Sequence, residues 1–311
     1  MLKQEFTFEG SEKIPYTLHG ILWLPENQEV KRMVHICHGM TEHIGRYEAF
    51  SREMTKHGIG VAGFDLRGHG ENAGDATCAS FGEGGWQCAI EYMHIFFEMI
   101  KDKYPSAKQY MLGFSLGSFL LREYLIQYDH AHVDGAIIMG TGHQPAPLLN
   151  MIIAVLKGEI KKAGWDQTTP LVQNLSFGTY NKKFKPNRTN SDWLCADEAE
   201  LDAYIADALC RKDISAGLFS DLLGSMVRAG DKKAFEKYRK DLPVLLISGK
   251  EDSVGDFGKG VQTLYKLLQK SGMKDVRLQM YDQARHDVLH EEASGVAEQA
   301  RTYITQWILK H

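Results

Sequence analysis

The segment Tyr110-Met111-Leu112-Gly113-Phe114-Ser115-Leu116-Gly117 decides the fold. Its first three residues belong to an apolar strand, and an amphipathic pattern begins directly after Ser115. The pentapeptide G-x-S-x-G therefore lies on a tight connection from a strand to a helix, a position that makes Ser115 a candidate nucleophile. Glycine is needed on both sides because a Cβ there would collide with neighbouring backbone. The alternative is a chance pentapeptide in an ordinary tight connection.

Strands and helices alternate along the chain on both sides of this segment. Nearly continuous apolar runs are typical of strands that are covered on both faces, so the pattern predicts a doubly wound, mostly parallel α/β sheet. The predicted strands are 16–24, 32–37, 60–64, 109–113, 135–139, 242–248 and 276–281, and the predicted helices between them are 46–57, 85–103, 116–128, 258–271 and 291–309.

The alternation stops between residues 144 and 241. Three stretches in this region have helical spacing of apolar residues, namely 148–162, 196–209 and 217–229. We therefore predict one α/β core built from residues 1–143 and 242–311, with residues 144–241 forming a helical insertion. A chain of 311 residues is long for one compact core but short for two independent domains, which agrees with this division.

The predicted acid follows the nucleophile along the chain. A serine hydroxyl needs a histidine to take its proton, and a carboxylate must orient that histidine. With this type of nucleophile turn, the chain order is serine, acid, histidine. The strand 242–248 runs into Gly249-Lys250-Glu251-Asp252, which places a carboxylate at the sheet edge near the nucleophile. We predict Asp252 as the acid, with Glu251 and Asp256 as alternatives.

The predicted base follows the next strand, 276–281, in the sequence Asp282-Gln283-Ala284-Arg285-His286. This loop lies at the same edge of the sheet, so His286 completes the ordered set of serine, acid and base. His290 is a weaker candidate because it lies four residues later, where a helix is predicted.

Transition-state charge on the substrate oxygen requires hydrogen-bond donors, which form an oxyanion hole. With this nucleophile turn they are the amide after the serine and an amide in the loop after the third strand. These are the backbone N–H groups of Leu116 and of Met40, and the latter lies in His38-Gly39-Met40-Thr41-Glu42-His43.

These motifs, together with Asp65-Leu66-Arg67-Gly68-His69-Gly70 and Arg46-Tyr47, resemble the monoacylglycerol lipase and lysophospholipase branch of the α/β-hydrolases, of the serine aminopeptidase S33 type. The resemblance covers nearly the whole chain. It implies a serine ester hydrolase that acts through an acyl-enzyme on monoacylglycerols or lysophospholipids. It also implies that the insertion is a cap and that no cofactor is required.

The insertion contains a strongly apolar stretch at 148–156, followed by Lys157, Lys161 and Lys162. We predict that this stretch guides an acyl chain, with Ile152 and Val155 contacting the substrate. Two alternatives remain: simple packing on the core, and transient contact with a membrane surface through the cap.

Composition limits the other classes of function. The chain has 36 basic and 40 acidic residues, a net charge of −4, so nucleic acid is not an expected partner. The charged start and the lack of a run of roughly 18 apolar residues predict a cytoplasmic protein. Five cysteines without CxxC spacing predict reduced thiols, and the thirteen histidines include no HExxH motif or zinc-like cluster, so no metal is expected.

Two other functions remain compatible with the sequence. One is a short-chain carboxylesterase or peptidase of the same fold. The other is a non-catalytic binding protein that retains a hydrolase fold, although the complete set of serine, acid and histidine argues against it.

Overall fold

The structure, a computed structural model, describes residues 1–11, 14–26, 28–74, 76–128, 132–210 and 213–311. Within these ranges the centre of the molecule is an eight-stranded sheet with the order β1-β2-β4-β3-β5-β6-β7-β8. The strands are β1 Leu2–Ser11, β2 Ile14–Leu24, β3 Arg32–Cys37, β4 Ile59–Phe64, β5 Lys108–Phe114, β6 Gly135–Met139, β7 Val244–Gly249 and β8 Val276–Tyr281.

The sheet is parallel from β4 through β3 and β5 to β8, and antiparallel where β2 pairs with β1 and β4. The mostly parallel sheet is thus confirmed. The sequence analysis missed β1, an edge strand in which only Phe8 and Ser11 are buried. An edge strand with so little burial needs no continuous apolar run, so its charged sequence did not indicate a strand.

Helices cover both faces of the sheet, as the doubly wound prediction requires. These helices are α1 Glu48–Lys56, α2 Gly85–Lys103, α3 Leu116–Gln127, α9 Lys259–Lys270 and α10 Val296–Lys310. On one face, apolar residues of α1 and α10 pack against the strands, and on the other face those of α2, α3 and α9 do so.

The last helix begins five residues later than predicted. The segment before it contains a 3₁₀ turn, Val288–His290, and Gly295 has a φ of +74° at the start of α10. Glu291, the predicted first residue, is buried, and its carboxylate accepts hydrogen bonds from the backbone N–H groups of Arg285 and Ala196. These tertiary bonds, which no local pattern encodes, keep the chain out of the helix at this point.

Residues 144–241 contain helices and, among those the structure describes, no strand beyond a single bridge between Ala79 and Ile214. The helices are α4 Ala146–Ala163, α5 Pro170–Gln173, α6 Glu198–Ala206, α7 Ala216–Gly230 and α8 Lys232–Lys237. The predicted helix 196–209 begins only at Glu198, because the carboxylate of Asp197 caps its first turn, and it ends at Ala206. Nowhere in the described ranges does a helix combine the length and the apolar character needed to cross a bilayer.

The helix α7 connects this region to the sheet by packing against both α3 and α4. Its first turn is capped by Ser215, whose hydroxyl accepts a hydrogen bond from the N–H of Leu218 at 3.0 Å. The buried guanidinium of Arg122 in α3 donates to the carbonyl oxygens of Gly142 at 3.0 Å and Ala229 at 3.2 Å. A buried cation thus satisfies the end of α7 and fixes its position over the sheet.

Candidate active site

Ser115 occupies a sharp turn between β5 and α3. Its φ of +49° and ψ of −116° are unusual for a residue with a Cβ, and such strain is concentrated at functional sites. A Cβ on Gly117 would lie 2.0 Å from the carbonyl oxygen of Cys37, and one on Gly113 would lie 2.5 Å from that of Gly117. Both glycines are therefore required by close backbone approach, as the sequence analysis predicted.

His286 and Asp252 form a buried pair at the neighbouring strand ends. The two atoms His286 Nδ1 and Asp252 Oδ1 are 2.9 Å apart, and the same oxygen accepts a hydrogen bond from the N–H of Val254 at 2.8 Å. Both side chains are almost fully buried. Because Nδ1 donates to the carboxylate, the lone pair of a neutral His286 is on Nε2. That atom is buried without a hydrogen-bond partner in the described part of the chain.

The alternative candidates for the acid and for the base do not join this pair. Asp256 is exposed, and neither it nor Glu251 forms a hydrogen bond with His286 in the described ranges. His290 Nδ1 is 2.9 Å from Asp287 Oδ1, and its Nε2 is 3.2 Å from the carbonyl oxygen of Arg46. The geometry thus brings Asp252, and not its alternatives, to His286.

Of the two predicted oxyanion donors, Met40 lines the same cavity as Ser115, and Leu116 directly follows Ser115 in the chain. Leu116 is the first residue of α3, so its N–H has no acceptor within the helix. Met40 lies in the loop after β3, which His38 holds in place. The Nε2 atom of His38 accepts a hydrogen bond from the N–H of Leu66 at 2.9 Å. The Nδ1 atom of His38 therefore carries the proton and donates to the carbonyl oxygen of Gly39 at 2.7 Å.

A buried ionic network supports this loop and was not predicted. Glu42 accepts hydrogen bonds from the N–H of Gly39 at 2.5 Å and the hydroxyl of Tyr47 at 2.9 Å, and Arg46 binds its other oxygen. Arg46 also donates to Asp287 Oδ2 at 2.9 Å. The network therefore joins the Met40 loop to the residue after the predicted base. Glu42 and Arg46 belong to the motif quoted above, but their role depends on Asp287, far away in sequence.

Burial alone would raise the pKa of the Asp287 carboxyl. The adjacent His290 and Arg46 instead hold that pKa well below its usual range. The carboxylate therefore stays charged while it is buried. A buried charge that lost its partner would be strongly destabilising, so the network couples the two loops energetically.

Ser115 and His286 line a cavity of about 220 Å³ whose walls are mainly apolar. Helices α4 and α7 supply its apolar side, with Leu148, Leu149, Ile152, Phe219, Leu222, Leu223 and Met226. The His286 ring lies 4.9 Å from the ring of Phe114 and 5.2 Å from that of Trp193, measured between centroids. An apolar cavity with few polar groups at one end is typical of a small-molecule site.

The comparisons with known proteins agree with this geometry. Residues 28–293 match the sequence profile of the family described as serine aminopeptidase, S33. The chain belongs to this family. It is 25% identical over 288 residues to the monoglyceride lipase of Rattus norvegicus, covering 92% of this chain and 84% of that protein. It is 27% identical to the monoglyceride lipase homolog of Monkeypox virus, covering 89% of each chain.

Solved structures show the same fold as this S33-family chain. A thermostable carboxyl esterase from Bacillus coagulans superposes with a TM-score of 0.89 at 23% identity, covering 100% of this chain and 99% of that one. The monoacylglycerol lipase of Paleococcus ferrophilus superposes with a TM-score of 0.68 at 21% identity, over 94% and 99%. The predictions of an α/β-hydrolase fold and of a carboxylic ester hydrolase in the monoacylglycerol lipase branch are confirmed.

The two predicted acyl contacts of this hydrolase lie in different environments. Ile152 lines the cavity together with Leu149, one helical turn earlier on α4. Val155 is 45% exposed, on the same side of the helix as the exposed Met151, and is absent from the described cavity wall. The geometry therefore supports Ile152 and not Val155 as a substrate contact.

The described residues contain one group with metal-ligand character, outside the cavity of this hydrolase. The candidate ligand atoms of His43, Asp207 and Cys210 lie within 4.8 Å of one another. His43 Nε2 and Asp207 Oδ2 already share a hydrogen bond of 2.8 Å. Burial raises the pKa of the Cys210 thiol far above its usual value, which disfavours the thiolate that a metal would require. All five cysteines are buried and unpaired.

Proposed function

We propose that this protein hydrolyses carboxylic esters through an acyl-enzyme on Ser115, with His286 as the base and Asp252 as the acid. The observation that carries the proposal is the 2.9 Å bond between His286 and Asp252, beside a cavity that also contains the strained Ser115. The relatives named monoglyceride lipase support the ester chemistry.

In the proposed reaction, His286 Nε2 takes the proton of Ser115 while the serine oxygen attacks the ester carbonyl carbon. The N–H groups of Met40 and Leu116 stabilise the negative oxygen of the tetrahedral intermediate. His286 then gives its proton to the departing alcohol, leaving the acyl group on the serine. A water molecule that His286 deprotonates attacks this acyl-enzyme, and the carboxylic acid leaves as Ser115 regains its proton. Asp252 stays charged and holds the imidazole ring throughout.

The volume of the cavity supports an acyl chain of medium length. A dry cavity of about 150 Å³ holds benzene, with its six carbons, so a cavity of about 220 Å³ accommodates about nine carbons by proportion. We infer a monoacylglycerol with a medium-length acyl chain as the substrate. Residues 144–241 form its cap in this proposal, because α4 and α7 supply the apolar wall.

An aminopeptidase activity, which the family description suggests, is disfavoured by charge. Such an enzyme must bind a substrate ammonium group, which requires an available carboxylate. Among the described residues that line the cavity, one is acidic, and that residue is Glu42. Its oxygens already bind Gly39, Tyr47 and Arg46, so it has no free charge to offer.

Labelling with a fluorophosphonate probe tests the proposal, because the probe reacts only with an activated serine. We expect the parent to be labelled at Ser115 and the Ser115→Ala variant to remain unlabelled. Ser253→Ala is the matched control, since Ser253 lines the same cavity without a predicted role. An unlabelled parent would indicate a binding protein, and a labelled Ser115→Ala variant would show that another residue is the nucleophile.

A further inference from the structure

The residue that follows Met40 has a strained backbone conformation. Thr41 is buried and has a φ of +62°, in the left-handed region that a β-branched residue rarely adopts. Such a conformation persists only where the surrounding contacts hold it. Because Thr41 is bonded directly to Met40, the contacts that hold Thr41 also restrict the backbone of the predicted oxyanion donor.

His38 fixes one side of the donor peptide. The carbonyl group of Gly39 and the N–H of Met40 belong to the same trans peptide, in which these two groups point in opposite directions. The Nδ1 atom of His38 donates to this carbonyl oxygen at 2.7 Å, so the N–H of Met40 points away from His38. That N–H has no acceptor among the described residues, and Met40 lines the cavity with Ser115. The N–H of Met40 is therefore available to a substrate oxygen.

Tyr204, on helix α6 of the insertion, holds the other side. The hydroxyl of Thr41 donates to the carbonyl oxygen of Met40 at 2.6 Å. Because that proton is already used, the hydroxyl of Tyr204 is the donor in its contact of 2.8 Å with Thr41 Oγ1. The same hydroxyl lies 3.3 Å from the carbonyl oxygen of Thr41. A chain of hydrogen bonds thus runs from Tyr204 through Thr41 to Met40.

Two further contacts join α6 to this loop and to the turn after it. The guanidinium carbon of Arg46 lies 5.1 Å from the centre of the Tyr204 ring. Asp207 directly follows α6, and its Oδ2 lies 2.8 Å from His43 Nε2. The position of α6 is therefore coupled to the conformation of the Met40 loop, although the two segments are distant in sequence.

We propose that Tyr204 is a positioning residue, whose hydroxyl holds Thr41 in its left-handed conformation and so keeps the N–H of Met40 directed at the oxyanion. This role rests on the proposed ester hydrolysis and deepens it, because it makes α6 of the insertion part of the support of the oxyanion hole. Formation and hydrolysis of the acyl-enzyme each pass through a tetrahedral oxyanion. Loss of the hydroxyl therefore slows whichever of the two steps limits kcat.

Tyr204→Phe tests the inference, because it removes the hydroxyl and keeps the ring beside Arg46. The rates are measured with p-nitrophenyl acetate and p-nitrophenyl octanoate. We expect kcat to fall by roughly 5- to 50-fold for both esters with little change in KM, since a lost hydrogen bond costs about fivefold and a lost oxyanion donor about 100-fold or more. Tyr265→Phe is the matched control, because it removes a tyrosine hydroxyl on α9 that binds Gln269. It should leave both rates unchanged.

Substitutions of Thr41 in the Tyr204→Phe background separate positioning from packing. Glycine adopts a positive φ without strain, so adding Thr41→Gly should restore much of the lost kcat. Adding Thr41→Val, which keeps a β-branched side chain but has no hydroxyl, should restore none of it. Thermal unfolding should show that each variant is folded.

A transition-state analogue gives an independent measurement. The compound 1,1,1-trifluorodecan-2-one forms a hemiketal with an activated serine, and the oxyanion of this adduct takes the place of the oxyanion of the reaction. Its inhibition constant should rise in Tyr204→Phe by about the factor by which kcat/KM for the octanoyl ester falls. An unchanged inhibition constant would overturn the inference.

The remaining outcomes distinguish this inference from the proposed function. A parent that neither hydrolyses the two esters nor reacts with the fluorophosphonate probe would refute the proposed function, and the role of Tyr204 with it. An active parent with an unchanged kcat in Tyr204→Phe would overturn only the role of Tyr204. Because Tyr204 also lines the cavity, a loss confined to KM or to the octanoyl ester would show substrate contact instead. Equal activities of the two double variants would likewise overturn the inference.

Discussion

The part of the cavity wall that is proposed to contact the acyl chain, the acyl wall, can be tested because two neighbouring residues of α4 have different surroundings. Ile152 lines the cavity, whereas Val155, one turn away on the same helix, is 45% exposed. We expect Ile152→Ser to weaken hydrolysis of a medium-chain ester selectively, and Val155→Ser to have little effect. Both changes replace a β-branched apolar residue with serine in one helix, so the second variant is a matched control.

The size of the effect follows from the apolar surface removed. Ile152→Ser deletes about three carbon groups, and a buried CH₂ contributes about 0.8 kcal/mol. If about half of the deleted surface contacts the acyl chain, the loss is roughly 1–2 kcal/mol. Since about 1.4 kcal/mol corresponds to a tenfold change, kcat/KM for the octanoyl ester should fall by roughly 5- to 30-fold. An acetyl ester has too few carbons to reach the wall and should lose less than about twofold.

The assay compares p-nitrophenyl octanoate with p-nitrophenyl acetate on the parent and both variants. The concentration of active enzyme is measured by fluorophosphonate titration, so that a partly unfolded sample is not mistaken for a lower kcat/KM. An equal fall for the two esters in Ile152→Ser, or an equal selectivity change in Val155→Ser, would refute the assignment of the acyl wall. Circular dichroism would then distinguish misfolding from simple packing of α4.

Three further predictions concern the reaction and the pH dependence of stability. Ser115→Ala should lower kcat by about 10⁴-fold or more with an unchanged fold, and activity within tenfold of the parent would reject this nucleophile. Asp252→Asn should reduce kcat far more than Glu251→Gln or Asp256→Asn, because only Asp252 binds His286; if the Asp256 variant were the most impaired, the acid would be misassigned. Burial raises the pKa of Asp221 to about 6, so the folded state holds this proton more tightly than the unfolded chain, and stability falls as pH rises from about 4 through 6. Asp221→Asn should remove this loss of stability, which is at most about 3 kcal/mol at pH 7. Urea unfolding at pH 4.5 and 7 measures the free energy of unfolding of both proteins. The same change between the two pH values in parent and variant would contradict the prediction.

Most of the sheet was predictable because its strands are covered on both faces. The residues of β5 and β7 form nearly continuous apolar runs, and the helix α3 follows its strand at a motif that leaves few alternatives. The edge strand β1 was not predictable in this way. Its stability comes from pairing with β2 and from the few side chains that reach the core, so its sequence shows no strong local signal.

The sequence by itself determined the nucleophile turn, because Gly113 and Gly117 are required by local backbone contacts. It also placed Asp252 and His286 at strand ends of a parallel sheet, and such strand ends share one edge. Only the tertiary structure decided which carboxylate reaches His286.

Two features depended entirely on tertiary packing: the pairing of Arg46 with Asp287 and the exposure of Val155. Each of these depends on how the insertion and the loops pack against a core that is distant in sequence. Periodicity reports which face of an element is apolar, but not which distant side chain lies against it.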